Sequence, residues 1–592
     1  MCGIVGGIGN IDFHKYLIEG LKKLDYRGYD SAGLAYVKDG KIALHRAMGK
    51  VSDLEAITPA FSGASAGIAH TRWATHGEPS EINAHPQKSN EGLFYIVHNG
   101  VIENFRELKS MLRKEGYIFY SKTDTEVIAN LLEFHFKKEK DVLRAIEEVQ
   151  EELQGSYACA IIFAEDPEHL YFMKNASPLL IGLDGEANYL ASDAVPMIPY
   201  CNKFIDVEDG EYGRLTPTGF EVFREGKPQE PHYAERNAAL LTHDLDGYPH
   251  YMLKEIEETP SCIRRLVENY FDGTDFLFDP SMISALKRAD YVLFLACGTS
   301  SYASEVGVRY MRELGKNADA VIASEWAYDP FIKARNPVYI LLSQSGETAD
   351  LIHCLKIINE RGGTSIAITN SKGSTIERKS TYACLLYAGL EVAVASTKSY
   401  ADQVVFLALL KAAVQDKAEE VIKDIRVVLS GIKTVIKQKE QIHEIARKVK
   451  DITDAFFVGR GFDFLACKEG TLKLKEIAYV HSEAYPGGEL KHGPIALIQP
   501  GTPVFCSISE EGLAPQMRNN LEELKARGAN VILFSRLALQ KKGDAFSYPD
   551  IPDYLSPLLS VLCFQYLSYY VALEKDLPID KPRNLAKSVT VE

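Results

Sequence analysis

Residues 338–348 read VYILLSQSGET, an apolar run of the kind that forms a buried parallel strand, followed at once by hydroxyl and amide side chains. Residues 291–300, YVLFLACGTS, form a second unit of this type, and a helical pattern follows each unit. The arrangement recurs in AFFVGRG (455–461) and PVFCSIS (503–509), with nearly the same spacing. We therefore predict an internal duplication of a doubly wound domain, in which only the first copy has a hydroxyl-rich loop suited to an anion.

The residues before about position 235 show a different sequence pattern. Many short β-rich runs are separated by turns, among them SAGLAYV, IALHRAM, GLFYIVHNG and YACAIIFAE. Helical patterns interrupt these runs around His14–Leu24 and Asp124–Phe136. The mixture predicts a layered α/β sandwich and not βαβ alternation, and the polar segment Glu235–Asp246 is expected to connect it to the duplicated region.

The composition indicates a soluble, cytoplasmic protein that acts on small molecules. The 592 residues are 46% hydrophobic and carry a net charge of −15 with no Lys/Arg-rich block, which argues against a nucleic-acid partner. Ten cysteines are scattered without zinc-like spacing, as in a reduced compartment. The N-terminus lacks the basic region of a signal peptide, and the uncharged stretch Leu555–Leu573 is expected to be a buried or interface helix and not a membrane span.

Cys2 is the first candidate for a catalytic residue. Removal of Met1 would place an α-amino group, with a pKa near 8, beside the thiol, where it can act as general base to its own side chain. The Gly-Ile-Val-Gly-Gly that follows offers small residues that let a substrate approach closely. A cysteine at this position is weak support for catalysis by itself, so the interpretation depends on the motifs that accompany it.

Four further motifs follow Cys2, in the order YRGYDSAG (26–33), HTRWATHGEPS (70–80), HNGVIENF (98–105) and KTDTEV (122–127). Together with MCGIVG they resemble the N-terminal-nucleophile glutaminase domain of the glutamine amidotransferases. The resemblance implies a four-layer αββα sandwich. It also implies a type 2 glutamine amidotransferase domain at 2–235, followed by a linker at 236–250.

The same resemblance assigns roles to residues of these motifs. Cys2 would attack the amide of glutamine to form a thioester that water hydrolyses. Asn99 and the backbone N–H of Gly100 would form the oxyanion hole, a kind of donor worth roughly 3–4 kcal/mol of barrier. Arg72 would clamp the α-carboxylate of glutamine, and Asp124 would bind its α-ammonium. The other pocket residues of the family correspond to Trp73, Thr75, His76 and Gly77.

The loop SQSGET (343–348) has the features of a phosphate site. Hydroxyls and N–H groups at a helix N-terminus attract an anion, and the helix dipole adds to this attraction. A Ser/Thr-rich turn is more often only a helix cap. A ligand is favoured here because CGTSS (297–301) ends the neighbouring strand, so that two hydroxyl loops would meet at the carboxyl edge of the sheet.

These two loops resemble those of the sugar isomerase (SIS) domains, which bind phosphosugars. With the glutaminase motifs in front, the chain from end to end is similar to the family of isomerising glutamine–fructose-6-phosphate transaminases. The resemblance implies SIS domains at 251–430 and 431–576 and a tail, 577–592, that closes the sugar site. Further motifs that carry it are HYMLKEIEETP (250–260), ASEWAY (323–328), EVAVASTK (391–398), GRG (459–461), EGTLKLKEIAYVHSEAYPGGELKHGP (469–494) and PRNLAKSVTVE (582–592).

By this correspondence several side chains would hold the sugar phosphate. The family is expected to read CGTSY where this chain reads CGTSSY, so either Ser300 or Ser301 faces the phosphate, and Ser301 keeps the spacing to Tyr302. The remaining phosphate-binding residues would be Ser343, Gln344, Ser345 and Thr348. The residues that contact the sugar would be Val394, Ser396 and Ala586.

Glu469, Lys473 and Glu476 are spaced i, i+4 and i+7, which places them on one face of a helix. A solvated charge stripe has the same spacing, but this helix leads into GELKHGP, where His492 resembles a ring-opening residue. By resemblance Glu476 moves a proton between C1 and C2, and Lys473 and Glu469 support the site. Lys587 would form an imine with the open-chain ketose, and because a reactive lysine needs a depressed pKa, we expect it to be covered when the sugar is bound.

The resemblance implies L-glutamine and fructose 6-phosphate as substrates, internal transfer of ammonia, no cofactor, no metal and a homodimer. The product would be D-glucosamine 6-phosphate, made in the first step towards UDP-N-acetylglucosamine. Two alternatives remain at this point. A phosphoribosyltransferase acceptor would need an acidic-pair diphosphate loop, which is not found. A catalytically silent phosphosugar sensor would predict loss of Glu476, His492 or Lys587, and all three are present.

Overall fold

The computed structural model describes residues 2–25, 28, 30–234, 244–330 and 334–590. The chain separates into two compact units: unit 1 is Met1–His243 with Ser588–Glu592, and unit 2 is Asp244–Lys587. Residues 236–243 of the expected linker lie outside the described residues. So do Met1, three positions of the YRGYDSAG motif (Tyr26, Arg27 and Tyr29) and the last two residues of the tail.

Unit 1 is built from strands and short helices in its described residues. Its strands are β1 (Gly3–Gly9), β2 (Ser31–Lys38), β3 (Lys41–Met48), β4 (Ala66–Arg72), β5 (Gln87–Lys88), β6 (Phe94–Ile102), β7 (Gly155–Phe163), β8 (Leu170–Asn175), β9 (Leu180–Leu183), β10 (Ala187–Ala191), β11 (Lys203–Asp206), β12 (Tyr212–Leu215), β13 (Phe220–Arg224), β14 (Lys227–Pro228) and β15 (His232–Ala234). Its helices are α1 (Phe13–Leu24), α2 (Val51–Ile57), α3 (Phe105–Lys114), α4 (Thr125–Glu139) and α5 (Val142–Glu152).

Two antiparallel sheets form the centre of unit 1. One has the strand order β15-β11-β9-β10-β1-β4-β2-β3 and the other β14-β13-β12-β8-β7-β6-β5. Alternate side chains of β1 enter different layers, because successive residues of a strand point to opposite faces. Ile4 packs with Val97 and Ala160 between the two sheets, whereas Val5 packs with Phe13 of α1. Helices α3, α4 and α5 cover the second sheet, which gives the predicted αββα order.

Three helices of unit 1 were not predicted. Helices α1 and α4 lie where helical patterns were recognised, but α2, α3 and α5 were read as part of a β-rich region. Helix α5 has the signal that was missed: Val142, Ala145, Ile146 and Val149 are buried at helical spacing, and Asp141 caps the helix by accepting a hydrogen bond from the N–H of Arg144 (3.0 Å).

Unit 2 alternates strands and helices. Its strands are β16 (Tyr291–Ala296), β17 (Asn317–Ile322), β18 (Pro337–Ser343), β19 (Thr364–Thr369), β20 (Tyr382–Leu385), β21 (Asp454–Gly459), β22 (His481–Pro486), β23 (Pro503–Ile508), β24 (Asn530–Arg536) and β25 (Phe546–Tyr548). Its helices are α6 (Tyr251–Tyr270), α7 (Pro280–Arg288), α8 (Gly298–Glu313), α9 (Ala323–Trp326), α10 (Ala349–Glu360), α11 (Thr375–Lys379), α12 (Lys398–Gln415), α13 (Ala418–Lys437), α14 (Lys439–Val449), α15 (Phe462–Ala478), α16 (Ala514–Lys525) and α17 (Pro557–Glu574).

The two parallel sheets of unit 2 repeat one topology, as the duplication predicts. Their strand orders are β17-β16-β18-β19-β20 and β22-β21-β23-β24-β25. In each copy the second strand in the sequence therefore lies at the edge of the sheet, next to the first. This order creates a switch point between the first and third strands, where the crossovers leave in opposite directions and a crevice opens at the carboxyl ends. The loops after β16 and β18 therefore meet at the switch point of the first copy.

Two features of unit 2 bear on the expected domain limits. Helix α13 runs without a break through the boundary expected between residues 430 and 431. The segment Asp553–Glu574 is long and apolar enough to cross a membrane, but its most apolar window is entirely buried inside the unit. This helix packs against α14 and α15, so it is a core helix of the duplicated fold.

Candidate functional site

The first candidate site lies where β1 and β4 of unit 1 run side by side. Gly3 pairs with Thr71, which brings Cys2 next to the end of β4. The N–H of Trp73 donates to Sγ of Cys2 (3.2 Å), and Nδ2 of Asn99 donates to the Cys2 carbonyl (3.0 Å). Burial raises the pKa of the Cys2 thiol, so the thiol needs a base before it can act as a nucleophile.

One terminal nitrogen of Arg72 is hydrogen-bonded to the protein, and the other is buried without a partner among the described residues. Its Nη2 donates to the carbonyls of His76 (2.5 Å) and Gly77 (2.9 Å), which fixes the loop after β4. Its Nη1 is buried and has no hydrogen-bond partner among the described residues. A buried donor of this kind is costly unless a ligand satisfies it, and a guanidinium edge suits a carboxylate.

Asp124 and Gly100 are also held in place around this site. Oδ2 of Asp124 accepts from the N–H of Ile102 (2.9 Å) and lies 4.0 Å from Nδ1 of His76. Gly100 has φ of +135°, and a Cβ there would approach the carbonyl oxygen of Ser156 to 2.0 Å, so only glycine fits. Thr75 is exposed on the same loop as Trp73, His76 and Gly77.

Asp30 belongs to this site although the sequence analysis gave it no role. Its carboxylate accepts a hydrogen bond from the N–H of Ala74 and another from Oγ of Ser31 (2.9 Å), and its own N–H donates to the carbonyl of Arg72 (3.1 Å). Burial raises its pKa. Asp30 thus holds the loop that carries Trp73 and Thr75, and the signal was its place in the YRGYDSAG motif.

The second candidate site lies at the switch point of the first sheet of unit 2. Oγ of Ser343 lies 3.0 Å from Oγ1 of Thr348 and accepts from the N–H of Gly346 (3.0 Å), while Oγ of Ser345 accepts from the N–H of Glu347 (3.2 Å). Thr348 is the residue before α10, so these hydroxyls surround a helix N-terminus. Gln344 is half-buried in the same loop, which fits the predicted anion site.

The CGTSS segment is not the loop that the sequence predicted. Gly298 has φ of +54° and begins α8, so Thr299, Ser300 and Ser301 form the first helical turn. Oγ of Ser300 accepts from Nε2 of Gln403 on α12 (2.9 Å), whereas Oγ of Ser301 donates to the carbonyl of Gly298 (2.7 Å). The positive φ of the glycine lets the chain turn directly from β16 into the helix.

Glu469, Lys473 and Glu476 form a connected charge cluster on α15. Nζ of Lys473 lies 3.3 Å from Glu469 and 2.6 Å from Glu476, and it donates to Oγ1 of Thr299 (3.0 Å). The side chains of Glu469 and Lys473 are fully buried and that of Glu476 is 18% exposed, which excludes a solvated stripe. Thr299 was not predicted to contribute to the site.

Burial and the neighbouring charges shift the pKa values of Glu469 and Lys473. Burial raises the pKa of Glu469 to about 7, although Lys473 acts in the opposite sense. Burial alone would lower the pKa of Lys473, but the two carboxylates outweigh it and raise the value. Near neutral pH the cluster therefore holds a firmly protonated lysine and a partly protonated Glu469.

Lys587 is buried against the segment that carries Val394 and Ser396. Its Nζ lies 2.6 Å from Oε2 of Glu391 and donates to Oγ of Ser396 (3.1 Å), and the side chain is 3% exposed. Glu391 also accepts from the N–H groups of Thr397 (2.9 Å) and Ser399 (3.2 Å). Burial alone would raise the pKa of Glu391, but Lys587 and these donors hold it at about 2.

An earlier residue of the tail, Asp580, also contacts this segment. The N–H of Val394 donates to the carbonyl of Asp580 (3.0 Å), and the carboxylate of Asp580 accepts from the N–H groups of Tyr251 and Met252 (2.9 Å each) at the start of α6. Ala586 is half-buried next to Lys587. The tail therefore joins α6 to the 391–398 segment.

Glu255 of α6 also holds the 391–398 segment, by accepting hydrogen bonds from its backbone. Its Oε1 accepts from the N–H groups of Val392 (2.5 Å) and Ala393 (3.2 Å). Burial, reinforced by the nearby charge of Glu391, raises its pKa to about 8. Glu255 is thus a neutral acid at physiological pH.

The structure does not bring His492 to the other predicted residues. It is exposed in a short 3-10 turn, Glu489–His492, and within the described part of the chain no hydrogen bond or ion pair joins it to Glu469, Lys473 or Glu476. The described residues also hold no group of three or more His, Cys, Asp or Glu side chains placed to bind a metal ion.

The second copy of the sheet fills its switch point with its own side chains. A carboxylate oxygen of Glu510 accepts from the N–H of Phe462 at the start of α15 (2.5 Å), and Arg309 pairs with the same carboxylate (3.2 Å). Asp463 accepts from the N–H and Oγ of Ser509 (2.8 Å each). Carboxylates of the chain thus accept N–H groups at the carboxyl ends of these strands that a bound anion would otherwise contact.

Comparison with known proteins confirms the resemblance. The family model described as the SIS domain matches residues 285–413 and 449–573, and that of the glutamine amidotransferase domain matches residues 70–198. Two relatives named glutamine–fructose-6-phosphate aminotransferase [isomerizing], from Bacillus licheniformis and Geobacillus kaustophilus, are 41% and 42% identical, with 100% of each chain covered. The solved C-terminal domain of glucosamine-fructose-6-phosphate aminotransferase from Francisella tularensis is 31% identical with a TM-score of 0.54, and it covers 58% of this chain and 100% of its own.

Glu255 gives a prediction about pH and stability. Its pKa is about 8 in the folded chain against an ordinary value of 4.5, so the unfolded chain releases the proton first. The stabilisation is therefore complete below pH 4.5, falls between 4.5 and 8, and is lost above 8. The substitution Glu255→Gln keeps the acceptor oxygen and cannot ionise. We expect the free energy of unfolding of the wild type to fall relative to this variant as pH rises from 5 to 8, by at most about 1.4 kcal/mol per pH unit, and its melting temperature to fall with it.

Thermal melts of the full chain at a series of pH values test this expectation. Glu268→Gln, an exposed position on the same helix, is the matched control and should follow the wild type. Parallel curves for the wild type and Glu255→Gln would show that Glu255 ionises normally in the folded protein.

Proposed function

The chain belongs to the family of isomerising glutamine–fructose-6-phosphate aminotransferases, and from that membership we propose how its two units divide the reaction. The enzyme transfers the amide nitrogen of glutamine to fructose 6-phosphate, giving glucosamine 6-phosphate and glutamate. Unit 1 releases ammonia from glutamine at Cys2. Unit 2 opens the sugar, activates it at Lys587 and takes up the ammonia, which passes internally from one site to the other.

In unit 1 we assign the nucleophile to Cys2, made N-terminal by removal of Met1. The α-amino group takes the proton of the thiol, sulfur attacks the amide carbon, and ammonia leaves as the thioester forms. Water then releases glutamate. Support comes from the unpartnered Nη1 of Arg72, suited to the α-carboxylate, and from Asp124, suited to the α-ammonium. Asn99 and the N–H of Gly100 stabilise the oxyanion, and the loop with Trp73, Thr75, His76 and Gly77 closes the pocket.

In unit 2 the amine of Lys587 attacks C2 of the open-chain ketose, and loss of water gives an imine. Ammonia then displaces Lys587 from C2, and Glu476 moves a proton from C1 to C2 to give the amino sugar. Glu476 suits this step because it is the one carboxylate of its cluster that reaches the surface. Lys473 orients it through their ion pair, and Glu469 in turn pairs with Lys473. The contact that carries the proposal is the buried pair of Lys587 with Glu391, beside the segment that bears Val394 and Ser396.

The phosphate of the sugar is assigned to the loop 343–348 and the first turn of α8. Ser343, Ser345 and Thr348 offer hydroxyls at the N-terminus of α10, with Gln344 beside them. Ser301 is the better candidate from α8, because Oγ of Ser300 is occupied by Gln403 in the core. Ala586 then places Lys587 over the sugar.

The proposed assembly is a homodimer in the cytoplasm. The cytoplasmic location is supported by the ten cysteines, which form no disulfide among the described residues. The long helix α17 does not support the dimer, because it is buried within its own unit. The exposed His492 does, because a ring-opening residue that has no hydrogen bond or ion pair to the other site residues described in its own chain can be supplied by a second subunit.

Substitution of the two nucleophiles should separate the half-reactions. Cys2→Ala should abolish glutaminase activity and leave slow conversion of fructose 6-phosphate to glucose 6-phosphate. Lys587→Arg keeps the charge beside Glu391 but cannot form the imine, so synthesis should fall by at least about 10³-fold while basal glutaminase activity remains. Glutamate release and sugar products are measured separately.

Cys201→Ala and Lys581→Ala are matched controls, a second half-buried thiol of unit 1 and a second lysine of the tail, and both should stay active. Loss of isomerisation in Cys2→Ala would refute the independence of the sites. Loss of glutaminase activity in Lys587→Arg would mean that the tail has a structural role instead.

A mixing experiment tests the dimer. His492→Ala and Lys587→Arg should each be inactive in synthesis as pure proteins. Coexpressed in equal amounts, they should recover about a quarter of the wild-type rate, because half of the dimers are mixed and each has one intact site of two. No recovery, or a monomer in sedimentation at the assay concentration, would contradict the shared site.

A further inference from the structure

His70 contacts the side chain that carries the proposed oxyanion donor. It lies on β4, two residues before Arg72, and its side chain is fully buried. Its Nε2 lies 3.0 Å from the carbonyl oxygen of His98 and 3.1 Å from Oδ1 of Asn99. It had no predicted role, although it is the first residue of the HTRWATHGEPS motif.

The hydrogen bonds of His70 determine its tautomer. The carbonyl of His98 can only accept, so Nε2 must carry the proton. The same N–H then faces Oδ1 of Asn99, which accepts as well. Nδ1 of His70 is buried and has no partner within the described residues. The ring is thus a neutral donor with its proton on Nε2.

The other end of the Asn99 amide is fixed independently. Nδ2 of Asn99 faces the carbonyl of Cys2 at 3.0 Å, and that carbonyl also can only accept. One acceptor at Cys2 and one donor at His70 therefore require the same orientation of the amide. In this orientation the N–H₂ group points towards the nucleophile and Oδ1 points away from it.

The surroundings keep His70 neutral over the working pH range. Burial lowers its pKa to about 3, with Asn99 acting weakly in the opposite sense. The charged and titratable groups that face it are Arg72, His98 and His85, whose ring lies 4.2 Å from that of His70, and burial lowers the pKa of both histidines as well. The ring is therefore neutral near pH 7, with its proton on Nε2.

We propose that His70 is a positioning residue for glutamine hydrolysis, which holds Asn99 with Nδ2 and not Oδ1 towards the reacting carbon. The proposal rests on the roles proposed above for Cys2 and Asn99. The two orientations of an amide have nearly the same shape, so packing alone selects weakly between them. A reversed amide would present Oδ1 to the developing oxyanion and replace stabilisation by repulsion.

Removal of the donor should lower the rate of the chemical step without weakening the binding of glutamine. For His70→Phe we expect kcat of glutaminase to fall by about 10- to 100-fold, short of the roughly 10²–10³-fold cost of losing an oxyanion donor outright, with KM nearly unchanged. His70→Gln can place an N–H close to the position of Nε2 and should recover most of the rate. A variant that merely disturbs packing would not be rescued in this way.

Two further measurements separate positioning from structural damage. Alkylation of Cys2 by iodoacetamide forms no oxyanion, so its rate should be the same in His70→Phe and the wild type. In the background of Asn99→Ala, His70→Phe should cost nothing more, because the side chain through which it acts is gone. His85→Phe removes a neighbouring buried imidazole that accepts from the N–H of His98 (3.4 Å) and has no hydrogen bond to Asn99, so it measures the effect of disturbing this layer while the contact of His70 with Asn99 is kept.

The outcomes distinguish this proposal from the one on which it rests. A normal kcat in Asn99→Ala would show that Asn99 is not the oxyanion donor, and both proposals would fall. Loss of activity in Asn99→Ala with a normal kcat in His70→Phe would overturn only the role of His70. Equal losses in His70→Phe and His70→Gln, or independent losses in the double variant, would also overturn it. If His70→Phe does not fold, His70→Leu provides the same comparison.

Discussion

The buried ion pair between Lys587 and Glu391 is the interaction on which the architecture of unit 2 depends. Removing two charges from water is costly, and the cost is offset only where other groups satisfy them. Glu391 meets this condition through the N–H groups of Thr397 and Ser399, where α12 begins, and Lys587 through Ser396. The pair therefore joins the tail, the 391–398 segment and a helix N-terminus.

The same pair imposes a condition on the chemistry. Nζ of Lys587 donates to a carboxylate oxygen of Glu391 (2.6 Å), and the nitrogen must give up a proton before it can attack a carbonyl carbon. A protonated imine keeps the positive charge on the same nitrogen, so Glu391 would stabilise that intermediate as well. The resting ion pair then costs reactivity in the first step and stabilises what the step produces. In the proposed mechanism the same lysine can therefore both anchor the tail and attack the sugar.

The sequence was sufficient for those parts of the fold and site that depend on local patterns. The strand-to-loop units predicted the duplicated sheet and its switch point, and the helical spacing predicted that Glu469, Lys473 and Glu476 share a face. It was insufficient where a side chain binds backbone groups that lie far from it in the sequence. Glu255 and Asp30 each hold a loop by accepting its N–H groups, and no spacing in the sequence joins them to those loops. The CGTSS segment was misassigned because the positive φ of Gly298, which turns the strand directly into a helix, is not apparent from composition.

The two proposed reactions need different charges around the reacting atoms, and this determines which residues each site can use. Hydrolysis of glutamine creates a negative charge for a moment, so unit 1 surrounds Cys2 with neutral donors such as the Nδ2 group of Asn99 and with the unpartnered Nη1 of Arg72. The proposed isomerisation moves a proton between two carbon atoms, so unit 2 needs a carboxylate that can take up the proton and return it. Lys473 makes this feasible by placing a fixed positive charge between Glu469 and Glu476. Burial then assigns the roles: Glu469 is fully enclosed, has a raised pKa and can only support its neighbours, whereas Glu476 has a surface through which it can reach a substrate.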